Sequence, residues 1–159
     1  MKDTAERIVD SEITLIPYYR NDEVSLEWYQ DRDLVKMVDN RDTPYDIPLL
    51  HRMYDYLSSN VDCYYIEYYG VLVGDVTLLS SGEIAIVVSK EYQRKHIGRR
   101  CVREMLSLAK EKGMTEVKAV IYTFNIPSQR MFLSLGFRKT GDEEYTYTLS
   151  QKREQTETD

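Results

Sequence analysis

Long apolar runs are missing from this chain: none approaches the roughly 20 residues that a bilayer-crossing helix needs, so no membrane partner is expected. Cysteine is scarce as well. Cys63 and Cys101 are the only two, each inside an apolar pattern, and they read as small reduced core residues rather than a disulfide framework. His51 and His96 are the only histidines. No Cys/His or His/carboxylate cluster has ligand spacing, so no metal is expected. The amino terminus, MKDTAERIVDSEITL, carries acids where a signal peptide has its apolar segment, so the expected compartment is the cytoplasm. Positive charge is also in deficit, with 21 Lys and Arg against 27 Asp and Glu and a net charge of −6. Such a surface repels a polyanion, which argues against direct nucleic-acid binding. A small anionic ligand at one basic turn and a cationic second substrate both remain compatible with it. Neither G-x-x-x-x-G-K-[ST] nor G-x-G-x-x-G occurs, which removes the common nucleotide-binding loops.

What the chain does hold is enough pattern for one domain. That domain is expected over 12–150, with 1–11 and 151–159 as polar, flexible tails. Glu12 to Pro17 alternates Ile13, Leu15 and Pro17 against polar positions, as a half-buried strand does. Asp22 stands as the cap of a helix through DEVSLEWYQD, with Val24, Trp28 and later Leu34, Val35 and Val38 on its apolar face. VDNRDTPYDIP reads as a loop. From Ile47 or Pro48 to Asn60, Leu49, Leu50, Met53, Tyr54 and Leu57 recur at helical spacing.

Three strand patterns follow, CYYIEYY, VLVGDVTLL and EIAIVVS. The turn pairs Tyr69-Gly70 and Ser81-Gly82 separate them and predict an antiparallel meander. A helix from Ile97 to Lys112, stopped by Gly113, leads into the strand EVKAVIYTF. Strand, helix and strand at this length form a βαβ unit, so strands 83–89 and 116–124 are expected to pair in parallel. NIPSQRMFLSLGF reads as a short helix with Pro127 in its first turn and Gly136 as its stop, and FRKTGDEEYTYTLS as a closing strand or hairpin.

The chemistry concentrates at EIAIVVSKEYQRKHIG, Glu83 to Gly98. An alternating strand ends in a turn crowded with Arg94, Lys95, Arg99 and Arg100, and a helix starts at Ile97. The first amides of a helix have no intrahelical partner and carry the positive end of its dipole, so this arrangement suits a phosphate group.

These residues resemble the GNAT superfamily of N-acetyltransferases. Its acyl-CoA motif, Q/R-x-x-G-x-G/A, is matched at its ends by Gln93 and Gly98, with His96 at its first glycine. A second motif has an Asn leaving a strand, a small residue, an aromatic and Gly-Phe. Asn125, Ser128, Phe132, Gly136 and Phe137 match it. The order of elements from Ile13 to Leu149 agrees with the family's, and the helical start with its WYQD segment looks most like the branch holding the ribosomal-protein and aminoglycoside acetyltransferases. The resemblance implies an α/β fold of the GNAT (acyl-CoA N-acyltransferase) type. In it a mixed, mostly antiparallel sheet contains the parallel pair 83–89 and 116–124 and carries flanking helices. It also implies transfer of an acetyl group from acetyl-CoA to a primary amine, small molecule or protein N-terminus, by direct attack in a ternary complex. The alternative is a CoA-binding or regulatory module that has lost catalysis. Dimers are common among relatives, so a homodimer is among the implied assemblies.

Residue by residue, the resemblance lays the pantetheine arm along Ile86, Val87 and Val88. It rests the pyrophosphate on Gln93, Arg94, Lys95, His96, Ile97, Gly98, Arg99 and Arg100, and assigns Asn125 and Ser128 to hydrogen bonds with the cofactor. Phe132 stands where many relatives carry a tyrosine thought to protonate the departing thiolate, a proton a phenyl ring cannot give; Tyr122, Tyr145 and Tyr147 are the substitutes. Glu83 is the candidate general base. Trp28, Asp39, Asn40, Tyr45 and Asp46 are the candidate acceptor walls, with a place in the core as the competing reading for Trp28.

Overall fold

The structure is a computed structural model and describes residues 5–59 and 62–149. In chain order it contains β1 (Arg7–Ile8), β2 (Ile13–Pro17), α1 (Asp22–Tyr29), α2 (Arg32–Asp39) and α3 (Ile47–Ser58). The strands β3 (Asp62–Tyr68), β4 (Val71–Leu78) and β5 (Ile84–Val88) come next, and then α4 (Ile97–Glu111), β6 (Glu116–Val120), α5 (Ile126–Leu135), β7 (Arg138–Lys139) and β8 (Glu144–Thr148). Five strands form one sheet in the order β1-β2-β3-β4-β5, and three form a second in the order β6-β8-β7. Every ladder in both sheets is antiparallel. The turns come where the sequence puts them: a two-residue turn with Tyr69 and Gly70 both at positive φ, and a three-residue one, 80–82, with Gly82 at φ 94.

The expected parallel pairing of strands 83–89 and 116–124 does not form a ladder. Those strands belong to different sheets and meet at one parallel bridge, Glu83 with Lys118, where the Lys118 N–H donates to the Gly82 carbonyl at 2.9 Å. The cause lies in the competing partner: β6 pairs along its whole length with β8, Glu116 opposite Thr148 and Val120 opposite Glu144. β6 therefore follows the β7–β8 hairpin away from β5, and one further bond, from the Ile121 N–H to the Glu143 carbonyl at 2.8 Å, continues the pairing past Val120.

Two further expectations change. Arg7 and Ile8, placed by their polar surroundings in a frayed tail, pair with Leu15 and Thr14. The Arg7 guanidinium reaches Glu104 at 3.0 Å and Glu111 at 2.9 Å on α4, so ion pairs supply an anchor that apolar residues do not. The tail expected at 151–159 lies outside the described residues. The helical pattern after Asp22 is broken in two because Asp31 accepts from the Leu34 N–H at 3.1 Å and starts α2. Asp22 is the first residue of α1 rather than its cap, and its carboxylate faces His51 Nε2 at 2.7 Å.

The five-stranded sheet is covered on both faces. On one, α4 and α5 bury an aliphatic core in which Ile13, Leu15, Val76, Ile84, Val102, Met105 and Val117 are all but inaccessible. On the other, α1, α2 and α3 cover a second core rich in rings: Trp28, Tyr29, Tyr45, Tyr54 and Tyr65. Gly74 allows β4 and β5 to close between them, since a Cβ there would lie 2.0 Å from the Val87 carbonyl oxygen. Among the described residues, no helix is long and apolar enough to cross a membrane.

Candidate functional site

The site begins with an unpaired edge. The Ser89 N–H donates to the Val73 carbonyl at 2.8 Å and the Leu79 N–H to the Glu83 carbonyl at 2.8 Å. Ladder bonds in an antiparallel pair alternate, so Glu83, Ala85, Val87 and Ser89 are the positions bonded to β4. Ile86 and Val88 therefore turn their backbone groups to the opposite edge, where β6 has moved away. The Gln93 side chain caps one of these groups, with Nε2 2.9 Å from the Val88 carbonyl. The Ile86 N–H and C=O and the Val88 N–H are left for an extended guest, the way any open strand recruits one.

At the end of this edge the chain passes through a short 3₁₀ turn, Lys90–Tyr92, into the start of α4. Arg94 (φ 67) and His96 (φ 61) both adopt left-handed backbone, and His96 is the residue from which α4 departs. Two non-glycine residues held this way within three positions store strain, which concentrates where a ligand or switch uses the geometry. The histidine thus takes the conformation that glycine would supply. Among the described residues, none of the amides from Arg94 to Arg99 donates to a backbone acceptor, and the first intrahelical bond is Arg100 N–H to the His96 carbonyl at 3.1 Å. Six consecutive donors at a helix amino terminus make an anion cradle. Gly98 packs against the strand, and a Cβ there would meet only ordinary van der Waals contacts, 3.6 Å from Met131, 3.8 Å from Ile86 and 3.9 Å from Val88.

The cationic side chains divide. Arg94 and Lys95 are exposed and form no ion pair among the described residues. Arg99 points to Ser134 Oγ on α5. Arg100 is turned away from the cradle. Its Nη1 holds Asp10 at 2.9 Å and Glu12 at 2.7 Å, while Nε and Nη2 donate to the His96 and Lys95 carbonyls at 3.2 and 3.0 Å. The Glu12 and Asp10 carboxylates hold the Arg100 pKa up; Arg100 holds that of Glu12 down, and the Glu12 backbone N–H together with Arg100 holds that of Asp10 down. Arg100 is a brace for the loop, a role the charge count of the turn did not reveal.

Across the opening, Asn125 leaves the strand β6 and starts α5. Its Oδ1 accepts from the Ser128 N–H at 3.3 Å, and its Nδ2 donates to the Met37 carbonyl at 3.2 Å. That second bond brings the last turn of α2 against the 122–126 segment. Phe132, one turn further along, is 3% exposed and packs edge-on against Phe137 at 4.9 Å, so it is a core residue and not an open wall. Of its three candidate substitutes, Tyr145 is buried in the same core and Tyr147 packs on Phe137. Only Tyr122 lies at the opening, stacked on Phe124 at 5.6 Å. Partial burial raises its pKa, and the Asp39 and Glu143 carboxylates raise it further, so its hydroxyl stays protonated at neutral pH.

The acceptor-wall candidates separate in the same way. Trp28 is in the ring-rich core, edge-on to Tyr65 at 5.9 Å. Asp46 caps α3 by accepting from the Leu49 N–H at 2.9 Å. Asn40 ends α2 in left-handed conformation (φ 53). Asp39 accepts from the Tyr45 hydroxyl at 2.8 Å, and that contact together with burial pushes the Tyr45 pKa up. Tyr45, 7% exposed and 4.9 Å from the Tyr29 ring, belongs like Trp28 to the ring-rich core and is not an open wall; through it the 40–46 strap is anchored, which leaves Asp39 beside Tyr122. Glu83 is half-buried at the bridge, and its side chain shares the α1–α3 face of the sheet with Ala85 and Val87, since strand side chains alternate.

Sequence reasoning missed one buried group on that face. Asp75 pairs with Val87 across β4 and β5, is 2% exposed, and accepts from the Tyr29 and Tyr54 hydroxyls at 2.7 Å each. Burial raises its pKa to about 6 against the two hydrogen bonds, which lower it. The one available signal was an aspartate inside the otherwise apolar strand pattern VLVGDVTLL. Among the described residues no group of three His, Cys, Asp or Glu side chains has metal-binding geometry. A cavity of about 300 Å³ lies apart from this cleft, between α4, α5 and β8, with Arg103, Ser107, Lys110 and Tyr147 in its lining.

Comparison with known proteins gives the chain a family and its fold relatives. The family model described as "Acetyltransferase (GNAT) family" matches residues 24–137. N-acetyltransferase family 8 member 3 of Rattus norvegicus is 32% identical over 103 residues, covering 58% of this chain and 45% of that protein. The match thus spans about half the length of that curated relative. A solved domain from Methanocaldococcus jannaschii superposes with a TM-score of 0.71 at 26% identity, covering 88% of this chain and 100% of that one. Spermidine N-acetyltransferase from Vibrio cholerae, solved with CoA and spermine, superposes with a TM-score of 0.74 at 15% identity, over 87% of this chain and 96% of that one.

Proposed function

The chain belongs to the acetyltransferase (GNAT) family, and on that footing we propose that it transfers an acetyl group from acetyl-CoA to a primary amine by direct attack in a ternary complex. The observation that carries this reading is the junction of an open strand edge at Ile86–Val88 with six unpaired amides at Arg94–Arg99. An extended amide-bearing arm with a phosphate group at its end satisfies both at once. The edge groups of Ile86 and Val88 bind the arm as an added strand, the Arg94–Arg99 amides hold the pyrophosphate, Arg94, Lys95 and Arg99 add charge, and Asn125 and Ser128 close the facing side. Bound acetyl-CoA supplies the acetyl thioester.

Glu83 accepts the proton of the acceptor's ammonium, directly or through water, and frees the nitrogen lone pair. The C–N bond forms as the C–S bond breaks. The Tyr122 hydroxyl is placed to protonate the departing sulfur, an aid rather than a requirement because free thiols have pKa values of about 8.5. Asp39 and Asn40 wall the acceptor, with Tyr45 holding Asp39 from behind. A polyamine, a small drug-like amine and a protein N-terminus are the acceptor classes in view, with the ribosomal-protein and aminoglycoside branch as one lineage for it. Free-thiol release from acetyl-CoA across an amine panel tests the proposal. Release that depends on the amine and is lost in Glu83→Gln supports it; cofactor binding with no release for any amine contradicts it.

A further inference from the structure

We propose that the mouth of this cleft is an alkylammonium subsite which the chain fills with its own Lys36, and that the acceptor is a flexible-chain alkylammonium that displaces it; this rests on the transfer reading above. The Lys36 Nζ lies 5.3 Å from the centroid of the Phe124 ring. It donates to Asn40 Oδ1 at 2.9 Å and lies 3.5 Å from Asp42 Oδ1. A ring face, a neutral oxygen and a carboxylate at the surface attract a compact ammonium, and they recognise any such group, tethered or free.

The placement joins this subsite to the cleft. Lys36 is in the last turn of α2, whose next residue, Met37, gives its carbonyl to Asn125 Nδ2 at 3.2 Å. The ring beneath the ammonium is stacked on Tyr122, the tyrosine beside which both Asp39 and Glu143 lie. Val120, Phe124 and Ile126, on either side of Tyr122 in the chain, are 53%, 39% and 45% exposed, apolar surface that methylenes between charged groups can cover. Lys36 is itself half-exposed and paired only at the surface, so it exchanges readily. A tethered group at high local concentration competes with a free ligand of the same chemistry. Lys36 thereby sets the concentration of acceptor at which the enzyme works. A neutral arylamine gains nothing from the ring quadrupole or the carboxylates and has no reason to compete.

The test is thiol-release kinetics with 1,5-diaminopentane and with aniline, in the parent, Lys36→Met and Lys36→Met with Phe124→Leu. Removing the tethered ammonium is expected to lower the KM for the diamine by about two- to fivefold, the scale of one exposed cation–π contact, and Phe124→Leu, combined with Lys36→Met so that no tethered ammonium shares the lost ring, to raise it again by a similar factor. Aniline should respond to neither. If Lys36 only closes the end of α2, Lys36→Met will lower the melting temperature and leave the diamine KM unchanged or raised, and the inference fails. Diamine turnover that ignores both variants overturns the subsite while leaving the transfer reading intact. No release with any amine, despite a melting shift with acetyl-CoA, overturns the transfer reading itself and the subsite with it.

Discussion

The two faces of the central sheet are built from different materials. Among the described residues, four of the 22 buried members of the core beneath α4 and α5 are aromatic, and the rest are mostly aliphatic. Beneath α1, α2 and α3, five of twelve are aromatic, and they surround a buried carboxylate. The first face needs only apolar volume, because in the proposed site what it presents to the cofactor is backbone: the open-edge groups of Ile86 and Val88 and the amides before and within the first turn of α4. The second face presents side chains. One half of the cleft is thus generic and the other individual, as expected if every family member holds the same cofactor and each its own acceptor.

Breaking the generic half has the largest expected effect. Gly74→Ala drives a Cβ into the Val87 carbonyl, and β4 and β5 must part. We expect a loss of about 3 kcal/mol or more in denaturant unfolding, and no melting shift with acetyl-CoA. The matching change on the other face is Leu50→Ala, a fully buried side chain whose loss costs about 2–5 kcal/mol. That variant should keep its acetyl-CoA shift. If the two variants lose cofactor binding alike, the faces are not independent.

The buried carboxylate gives the second test. The Asp75 pKa is raised to about 6 in the folded chain from the 3.8 of an ordinary aspartate, so between roughly pH 4 and 6 the native state binds more protons than the unfolded state. Stability therefore falls as pH rises through that window, by about 3 kcal/mol in all from this group, and levels off above it. Asp75→Asn keeps the shape and an acceptor oxygen for Tyr29 and Tyr54 and removes the slope. Parent and variant profiles measured from pH 4 to 8 should converge at the acid end and separate in favour of the variant at the alkaline end. Parallel profiles would show that Asp75 titrates normally.

The generic half was also the legible half. Turn pairs, the αL stop at Gly136 and the Gln93–Gly98 and Asn125–Phe137 spacings stand in the chain as local patterns, and their geometry follows from local backbone rules. The ladder partner of β6 was not legible, because a strand's choice between β5 and β8 is decided by long-range packing. Nor was the fate of Arg100. It was counted with the phosphate ligands, and only the position of Asp10 and Glu12, brought in by β2, turns it into a brace. Asp39 and Tyr45 were singled out, but the hydrogen bond that joins them needs the fold of the 40–46 strap.

Two smaller effects sharpen the contrast within the cradle. Arg100→Ala frees the Lys95 and His96 carbonyls and two carboxylates, and is expected to cost about 1–2 kcal/mol of stability. It should also weaken acetyl-CoA binding, read by calorimetry, although its side chain faces away from the cradle. His96→Gly relieves a left-handed φ of 61 at no loss of a hydrogen bond from the side chain, and should stabilise the fold by up to about 1 kcal/mol. A drop in stability would mean that the imidazole makes a contact of its own.

The central claim is that the Ile86–Val88 edge and the Arg94–Arg99 amides together form an acetyl-CoA site. Unfolding in the presence of acetyl-CoA tests it most directly, because a ligand at about 100 times its dissociation constant stabilises the native state by roughly 2.7 kcal/mol. The account predicts a concentration-dependent rise in melting temperature with acetyl-CoA, smaller with a pantetheine fragment lacking the pyrophosphate, and reduced in Asn125→Ala. A melting temperature unmoved by millimolar acetyl-CoA would contradict it.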